Sequence, residues 1–444
     1  MPYIANTKED QQKMFETIGC KGFDDMWRQS QVVVPEAPLQ NIPEGLSEFE
    51  VISKLRKLAA KNATELHTFI GAGYYDHIIP AAVAEISGRS EFYTAYTPYQ
   101  PEASQGTLQA IYEYQSMLCR LTGMPVANAS LYDGGTALFE AMMLAIRATR
   151  RRQVVVSEAV SPIFRKMLET YSFNLNIELI QIPAGTDDSN KEELLNAVSD
   201  RTACVIVQYP NFFGTIEEWA DFNEKIHAKR ALAVCSTYPV ALAMLTPPGE
   251  LGFDIVTAEG QSLGNSLNFG GPYLGIMAVT TKLMRKMPGR VVGRTLDSDG
   301  KDGFVLTLQT REQHIRRESA MSNICSNENL CALNALVYMA CMGKEGFIQV
   351  AELCAAKAAY ARELMLQIDG VEPVGGEVFF NEFVIQLPCD AAEVVGKLID
   401  KGFAAGFPLG RYYDDRKNQL LIAVTEKRTK EEIKALATAL EAVL

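Results

Sequence analysis

Three stretches of the chain carry residue types that could do chemistry. The first is residues 252–275, GFDIVTAEGQSLGNSLNFGGPYLG, where an apolar strand expected at 253–257 gives way to a turn of small residues, a Gly-Gly-Pro corner and a second apolar strand expected at 274–280. A turn of that shape suits a ligand cleft at one end of a sheet. It offers Glu259, Gln261, Ser262, Asn265 and Asn268 but no amine, since the nearest downstream lysine is Lys282, beyond the second strand. The second stretch is NASLYDGGTALFEAMMLA, in which Gly134 and Gly135 allow a sharp turn and Thr136 starts a helix. Backbone N–H groups at such a helix start make a phosphate cradle, although Asp133 beside them would repel an anion and a Gly-Gly pair also serves simply as a turn. The third, residues 66–106, packs seven tyrosines and phenylalanines and two histidines among glycines and prolines. Aromatic loops rich in hydroxyls and amides are places where ligands sit.

Single residues add less. His77, after Tyr74, Tyr75 and Asp76, has the side chain that titrates nearest neutrality and could act as an acid or base, but a hydrogen-bonded structural histidine is the favoured reading, and the case for His67 is weaker. Arg311, Gln313, His314, Arg316 and Arg317 could hold a phosphate or an acidic docking surface; a solvated or interface-bridging face accounts for them at least as well. Four scattered histidines without paired carboxylate spacing give no metal site. Ser262 lacks the strained strand-to-helix setting of a hydrolase nucleophile.

The elements that must position these residues alternate in type. Apolar strands are expected at 154–157, 177–182, 204–208, 231–235, 253–257 and 274–280, with helices at 163–171, 191–198 and 216–227 between them. That alternation predicts an α/β domain, a mostly parallel sheet covered by helices on both faces. Ligands in such sheets bind beyond the carboxyl ends of the strands, which puts residues 209–214, 236–238 and 259–268 on one rim. Upstream, 1–65 reads as an N-terminal arm, with helices at 6–18 and 47–63, the second opened by a Ser47/Glu50 capping box, and a proline-dotted stretch at 32–44. An amphipathic helix follows at 108–122. Downstream, helices at 330–342 and 346–368, strands at 378–387 and 420–424, and a last helix capped by Thr429 and Glu432 make a smaller C-terminal α+β domain over 320–444, docked on a large domain over 66–319.

Composition excludes several function classes. The chain has 444 residues, 48% of them hydrophobic, enough for a large core. Its formal net charge of -12, without a basic stripe, argues against a nucleic-acid partner. Nine scattered cysteines form no Cys-x-x-Cys pair, so reduced thiols in a cytoplasmic protein are expected, with no disulfide or metal site. The N-terminus lacks the basic start and apolar run of a signal peptide, and no stretch reaches the roughly 20 apolar residues of a membrane span.

The runs FIGAGYYDHIIP, YTAYTPYQPEASQGTLQAIYEYQSMLCRLTGM, NASLYDGGTALFEAMMLA, EGQSLGNSLNFGGPYLG, MPGRVVGRTLD and LQTREQHIRRESAMSNICSN closely resemble the glycine-cleavage P-protein, glycine dehydrogenase (decarboxylating). More narrowly, the chain is similar to the N-terminal-half subunit, subunit 1, of the two-chain bacterial form. The resemblance implies pyridoxal-phosphate fold type I, aminotransferase-like, and a partner, subunit 2, that carries the Schiff-base lysine. A competent site of this type needs that lysine, a carboxylate at the pyridine nitrogen and a phosphate cradle. Here Gln261 and Ser262 stand in the lysine's place, and the strand end expected to supply the carboxylate reads Cys235-Ser236-Thr237-Tyr238. Gly134, Gly135 and Thr136 would be a relict cofactor cradle. Pyridoxal phosphate is therefore expected on the partner and not covalently on this chain. The resemblance further implies an α2β2 assembly that decarboxylates glycine, releases CO2 and passes the aminomethyl group to the lipoyl arm of the H-protein. Tyr96, Thr97, Tyr99, Gln100 and Glu102, with Ser104 and Gln105 behind, are the candidates for completing the shared site, with packed interface aromatics as the plainer reading. The alternative for the whole chain is a catalytically silent scaffold that stabilises the partner and docks the H-protein. An independent pyridoxal-phosphate enzyme is disfavoured by the missing lysine.

Overall fold

Valine, isoleucine and cysteine runs fix the centre of the molecule, because a strand apolar on both faces must be covered on both. The computed structural model describes residues 5–30, 43–185, 188–325 and 327–444, and the chain divides into two units, Met1–Thr64 and Glu65–Leu444. The first unit holds helices α1 (Lys8–Ile18), α2 (Phe23–Gln29) and α3 (Glu48–Ala59). Thr7 with Asp10 and Ser47 with Glu50 form capping boxes that satisfy the first N–H groups of α1 and α3. Most of the stretch expected to be irregular at 32–44 lies outside the described residues.

The second unit runs β1 (His67–Thr68), α4 (Ala81–Ser87), α5 (Ser90–Tyr93), α6 (Gln105–Thr122), β2 (Val126–Ala127), α7 (Gly134–Thr149), β3 (Gln153–Ser157), α8 (Pro162–Ser172), β4 (Glu178–Ile182), α9 (Lys191–Ala197), β5 (Thr202–Tyr209), α10 (Ala220–Ala228), β6 (Leu232–Thr237), β7 (Ile255–Glu259) and β8 (Gly275–Val279). It continues with β9 (Val291–Leu296), β10 (Asp302–Thr307), α11 (Gln313–Arg316), α12 (Asn329–Met365), β11 (Glu372–Val374), β12 (Glu382–Gln386), α13 (Ala391–Ile399), β13 (Phe403–Ala404), β14 (Phe407–Pro408), β15 (Gln419–Ala423) and α14 (Lys430–Glu441).

Seven strands form the main sheet in the order β2-β8-β7-β6-β5-β3-β4. The strands β3 to β7 run parallel, while β8 and β2 are antiparallel to their neighbours. Alternate residues of one strand feed two different cores: Val205 and Val207 join Trp219 and Tyr338, whereas Cys204 and Ile206 join Leu138 and Met142 of α7. A four-stranded antiparallel sheet, β11-β12-β15-β14, packs with α13, α14 and the end of α12 around a third core that includes Phe383, Ile422 and Leu436.

Several boundaries differ from expectation for local reasons. The helix expected at 216–227 starts only at Ala220, because Ile216 N–H donates to the Val378 carbonyl (3.1 Å) and Thr215 bridges Phe379. The same pairing delays β12 until Glu382. Helix α7 opens at Gly134, two residues before Thr136, since the Asp133 carboxylate caps it by accepting from Thr136 N–H. The helices expected at 330–342 and 346–368 are both present, as the two arms of α12, and meet at a kink at Gly343, whose φ of 60° and ψ of -174° are not helical. One pairing links distant sequence: β1 lies parallel to β13, joining residues 67–68 to the C-terminal sheet region.

Candidate active site

The carboxyl ends of β5, β6 and β7 share one rim, and the residues there come from the strand-to-turn junctions the sequence marks. The N–H groups that would cradle a phosphate are occupied by the protein's own carboxylates. Gly134 N–H donates to Glu259 Oε2 (2.8 Å), and Thr136 donates from N–H (2.9 Å) and Oγ1 (2.7 Å) to Asp133. Glu259 also accepts from the N–H groups of Gln261 (2.9 Å) and Leu274 (3.1 Å). Burial pushes the Glu259 carboxyl up to about 8 against these three donors, with the nearby Asp133 charge adding to the rise. The glycines answer to packing: a Cβ on Gly134 would lie 2.9 Å from Glu259 Cβ and from Phe164 Cζ, and one on Gly135 would lie 2.2 Å from Met167 Sδ. The cradle expected at Gly134, Gly135 and Thr136 is thus a capped and filled helix start.

Gln261, on the turn after β7 where the resemblance implies that a lysine would stand, holds a segment of the chain in place. Its Oε1 accepts from Tyr75 N–H (2.9 Å), and its Nε2 donates to the carbonyls of Tyr75 (3.0 Å) and Asn265 (2.8 Å). Ser262 is buried beside it, its hydroxyl without a hydrogen-bond partner among the described residues. The Tyr75 ring lies on Tyr238 at 4.3 Å between centroids, where β6 ends. Tyr75 Oη donates to Glu382 Oε2 (2.7 Å), and Glu382 Oε1 accepts from Ala72 N–H (2.7 Å). Burial pushes the Glu382 carboxyl up to about 7 and holds the Tyr75 phenol far above its ordinary range.

His77 is buried with both ring nitrogens engaged, the arrangement that a hydrogen-bonded structural histidine takes. Its Nδ1 lies 2.7 Å from Glu426 Oε2, its Nε2 meets Tyr238 Oη, and Ile78 N–H donates to Glu426 Oε1 (2.7 Å). Burial alone would raise the Glu426 carboxyl; the His77 bond and charge bring it below its ordinary value. Cys354 Sγ, 3.5 Å from Glu426 Oε2, completes a buried His-Cys-Glu group of metal-ligand type, in which His77 and Glu426 already satisfy each other. Cofactor geometry therefore fails in three places on this chain: no amine stands at Gln261, no acid ends β6, and Glu259 and Tyr75 fill the space. The residues present do not fit pyridoxal phosphate.

The aromatic loop is built differently. Tyr96 is 79% and Tyr99 40% exposed; Gln100 and Glu102 are exposed and Thr97 is half-buried. Gln105 fastens the loop's end, donating to the carbonyls of Pro101 and Phe304 (both 2.8 Å) while accepting from Phe304 N–H (2.9 Å). Tyr99 is oriented by residues 290–314: Arg290 Nη2 donates to its hydroxyl (3.0 Å) and stacks over its ring (5.4 Å), and the hydroxyl donates on to Glu312 Oε2 (3.4 Å). His314 packs edge-on against the same ring and lies 3.4 Å from Glu312. Of the basic run, Arg311 turns inward to the carbonyls of Leu308 (3.1 Å) and Gly289 (2.9 Å), so it is not a purely solvated face. Sequence reasoning missed Tyr75, Tyr238, Glu382, Glu426, Arg290 and Glu312 as parts of these networks. Arg290 and Glu312 lay within the quoted MPGRVVGRTLD and LQTREQH runs, so a signal for them existed.

A model of the glycine cleavage system P-protein matches residues 1–440. The chain belongs to the glycine cleavage system P-protein family. Among its P-protein relatives is the probable glycine dehydrogenase (decarboxylating) subunit 1 of Maridesulfovibrio salexigens, 50% identical over 444 residues with both chains fully covered. The protein of the same name from Geotalea daltonii is 51% identical over 444 residues, again with full coverage of both. A crystal structure of glycine decarboxylase (P-protein) of the glycine cleavage system, in inhibitor-bound form, superposes with a TM-score of 0.94 at 40% identity, covering 100% of each chain. Two distant structures, a Burkholderia pseudomallei sphingosine-1-phosphate lyase (TM-score 0.66, 14% identity, 94% of each chain) and a Lactobacillus brevis glutamate decarboxylase (TM-score 0.68, 13% identity, 94% of this chain and 96% of that one), share the fold. The fold is pyridoxal-phosphate fold type I, as the resemblance implied. Among the described residues no helix is long and apolar enough to cross a membrane.

Proposed function

We propose that this chain is subunit 1 of a two-chain glycine decarboxylase, a glycine dehydrogenase (decarboxylating) that works only with a lysine-bearing subunit 2. The full-length likeness to proteins of that name supports the activity. The observation that carries the division of labour is the cleft itself: Gln261 holds Tyr75 where a cofactor would lie, and Glu259 takes the Gly134 N–H. Pyridoxal phosphate then belongs to the partner. It supplies there an electron sink for decarboxylating glycine, and the aminomethyl group passes to the lipoyl arm of the H-protein. An α2β2 assembly in the cytoplasm fits this reading.

This chain's contribution is the exposed loop. Tyr96, Thr97, Tyr99, Gln100 and Glu102 reach toward the partner's site, where hydroxyl, amide and carboxylate groups position the glycine carboxylate and exclude water. Tyr99 arrives with its hydroxyl already oriented by Arg290 and Glu312, so little freedom is lost when it engages substrate.

The test is to co-purify both subunits, reduce the cofactor imine with borohydride and map the labelled peptide. The label is expected on a lysine of the partner, with none trapped stoichiometrically on this chain. A single labelled lysine here would overturn the assignment. With the complex in hand, Glu102→Gln and Tyr99→Phe are expected to slow glycine-dependent CO2 release; undiminished turnover in both would leave this subunit as a scaffold.

A further inference from the structure

Three residues far apart in sequence bring metal-ligand atoms to one buried point. His77 lies between β1 and α4, Cys354 on the second arm of α12 and Glu426 just past β15. One ligand atom from each lies within 4.8 Å of the other two, and all three residues are buried. Cys354 Sγ stands 3.5 Å from Glu426 Oε2, close to the roughly 3.6 Å edge between sulfur and oxygen around a tetrahedral zinc, given bonds of about 2.3 Å and about 2.1 Å. His77 Nδ1, 2.7 Å from the same oxygen, has to draw back by about 0.7 Å to reach the corresponding nitrogen–oxygen edge of roughly 3.4 Å.

The surroundings supply what a metal site needs beyond its ligands. His77 Nε2 is held by Tyr238 Oη, so the ring keeps its orientation when Nδ1 changes partner. Tyr338 is 0% exposed, and its hydroxyl has no hydrogen-bond partner among the described residues. Burial, then the charges of Glu426 and Cys354, push its phenol up, which puts that unpartnered oxygen within electrostatic reach of the cluster. Lys357 donates to the Glu426 main-chain carbonyl, and among the described residues the ionic partner of the Glu426 carboxylate is His77. Hydrogen bonds among His77, Cys354 and Glu426 give the Tyr338 hydroxyl nothing to bind; an ion at their centre does. The donor set selects that ion. Thiolate and imidazole favour a borderline-soft metal over magnesium or calcium, and a thiolate with a carboxylate cancels a divalent charge, as burial requires.

We propose that His77 Nδ1, Cys354 Sγ and a Glu426 carboxylate oxygen bind one zinc ion, with the Tyr338 hydroxyl at the fourth position. Binding takes one proton off the chain. The Cys354 thiol loses its hydrogen to solvent, and His77 moves its ring hydrogen from Nδ1 to Nε2, where Tyr238 Oη turns from donor to acceptor. A closed site of this kind is structural. It ties the segment that carries Tyr75 into the cleft to α12 and to the C-terminal sheet region.

Metal content tests this on the full-length chain, stripped with a chelator, dialysed against zinc chloride, passed through gel filtration and analysed by plasma emission. One retained zinc per chain is expected in the wild type and in a Cys325→Ser/Cys341→Ser variant that lacks the two exposed thiols. Cys354→Ser is expected to weaken binding at least about hundredfold and Tyr338→Phe about tenfold, since even an outer partner of a metal ligand is worth about 10–100-fold. Cobalt in place of zinc is expected to show the visible bands of a tetrahedral ion and a near-ultraviolet thiolate band. Amide exchange over residues 72–79 is expected to slow when zinc is bound. No retained zinc in the wild type overturns the proposal, as does zinc undiminished in Cys354→Ser with a wild-type circular dichroism spectrum. Should Cys354→Ser fail to fold, the cobalt spectrum of the Cys325→Ser/Cys341→Ser variant decides: a thiolate band upholds the site, and cobalt bound without one overturns it. Failure here leaves the shared-site reading untouched, since the borohydride and turnover measurements do not depend on zinc.

Discussion

At the scale of single residues, a hydroxyl and a pair of glycines separate chemistry from packing. Tyr99 is held by groups from a segment some 190–215 positions away, Arg290, Glu312 and His314, so its phenol has one geometry before any ligand arrives. Removing the hydroxyl with Tyr99→Phe keeps the ring contacts and is expected to lower kcat/KM for glycine by about tenfold to hundredfold in the complex, the range for losing one oriented polar contact. The check is steady-state CO2 release together with an unchanged thermal transition. Gly134 makes the opposite case. Because an added methyl would press on Phe164 and the Glu259 side chain at 2.9 Å, Gly134→Ala is expected to destabilise the fold by about 1–3 kcal/mol, the usual cost of overpacking. Urea unfolding reads that loss, and cofactor content of the complex is expected to stay at the wild-type level. A fall in cofactor content without a fall in stability would instead restore the phosphate role.

The elements show which parts of the architecture could be read along the chain. Strands β3 to β7 were legible because each is a short apolar run between helical patterns, and the caps at Ser47 and Thr429 were legible because a capping box is encoded within four residues. The strap of residues 67–79 was not. Its anchors, Phe403, Glu382, Glu426 and Gln261, lie between 186 and 349 positions away in sequence, and no local periodicity announces such partners. The absence of a lysine from the turn after β7 is visible in the sequence, yet what Gln261 does there is not, because its amide acts through the backbone of Tyr75. That replacement is testable. Gln261→Ala strands the buried N–H and C=O of Tyr75, each worth roughly 1–3 kcal/mol when unpaired, so amide exchange at Tyr75 to Ile78 is expected to accelerate by one to two orders of magnitude. Exchange measured by mass spectrometry over a peptide spanning 72–79 gives the answer; protection equal to wild type would mean the strap is held by Glu382 and Glu426 without help from Gln261.

On the scale of the whole molecule, the C-terminal sheet region is fastened to the strap through buried carboxyls, and this gives stability a defined dependence on pH. Glu382 has an ordinary value of 4.5 and a folded value of about 7; Glu259 goes from 4.5 to about 8. In both cases the folded chain keeps a proton that the unfolded chain has released, so between pH 4.5 and the folded value the native state binds more protons. Stability from these two groups is fully present below pH 4.5 and falls as pH rises, through about 7 for Glu382 and about 8 for Glu259. Glu426 works in the other direction, since its value is lowered, but its change is complete below pH 4.5 and does not enter this window. Tyr75, whose phenol stays protonated throughout, keeps donating to Glu382 as that group ionises. Glu382→Gln keeps an acceptor for Ala72 N–H and turns Tyr75 Oη into the acceptor of the new amide NH2, while removing the titration. Urea unfolding at pH 5, 6, 7 and 8 is therefore expected to show wild-type stability declining across the series and a shallower decline in the variant, the wild-type curve falling progressively away from the variant's up to about pH 7. Parallel curves would place the titrating group elsewhere, with Glu259→Gln the variant left to flatten the slope above pH 7.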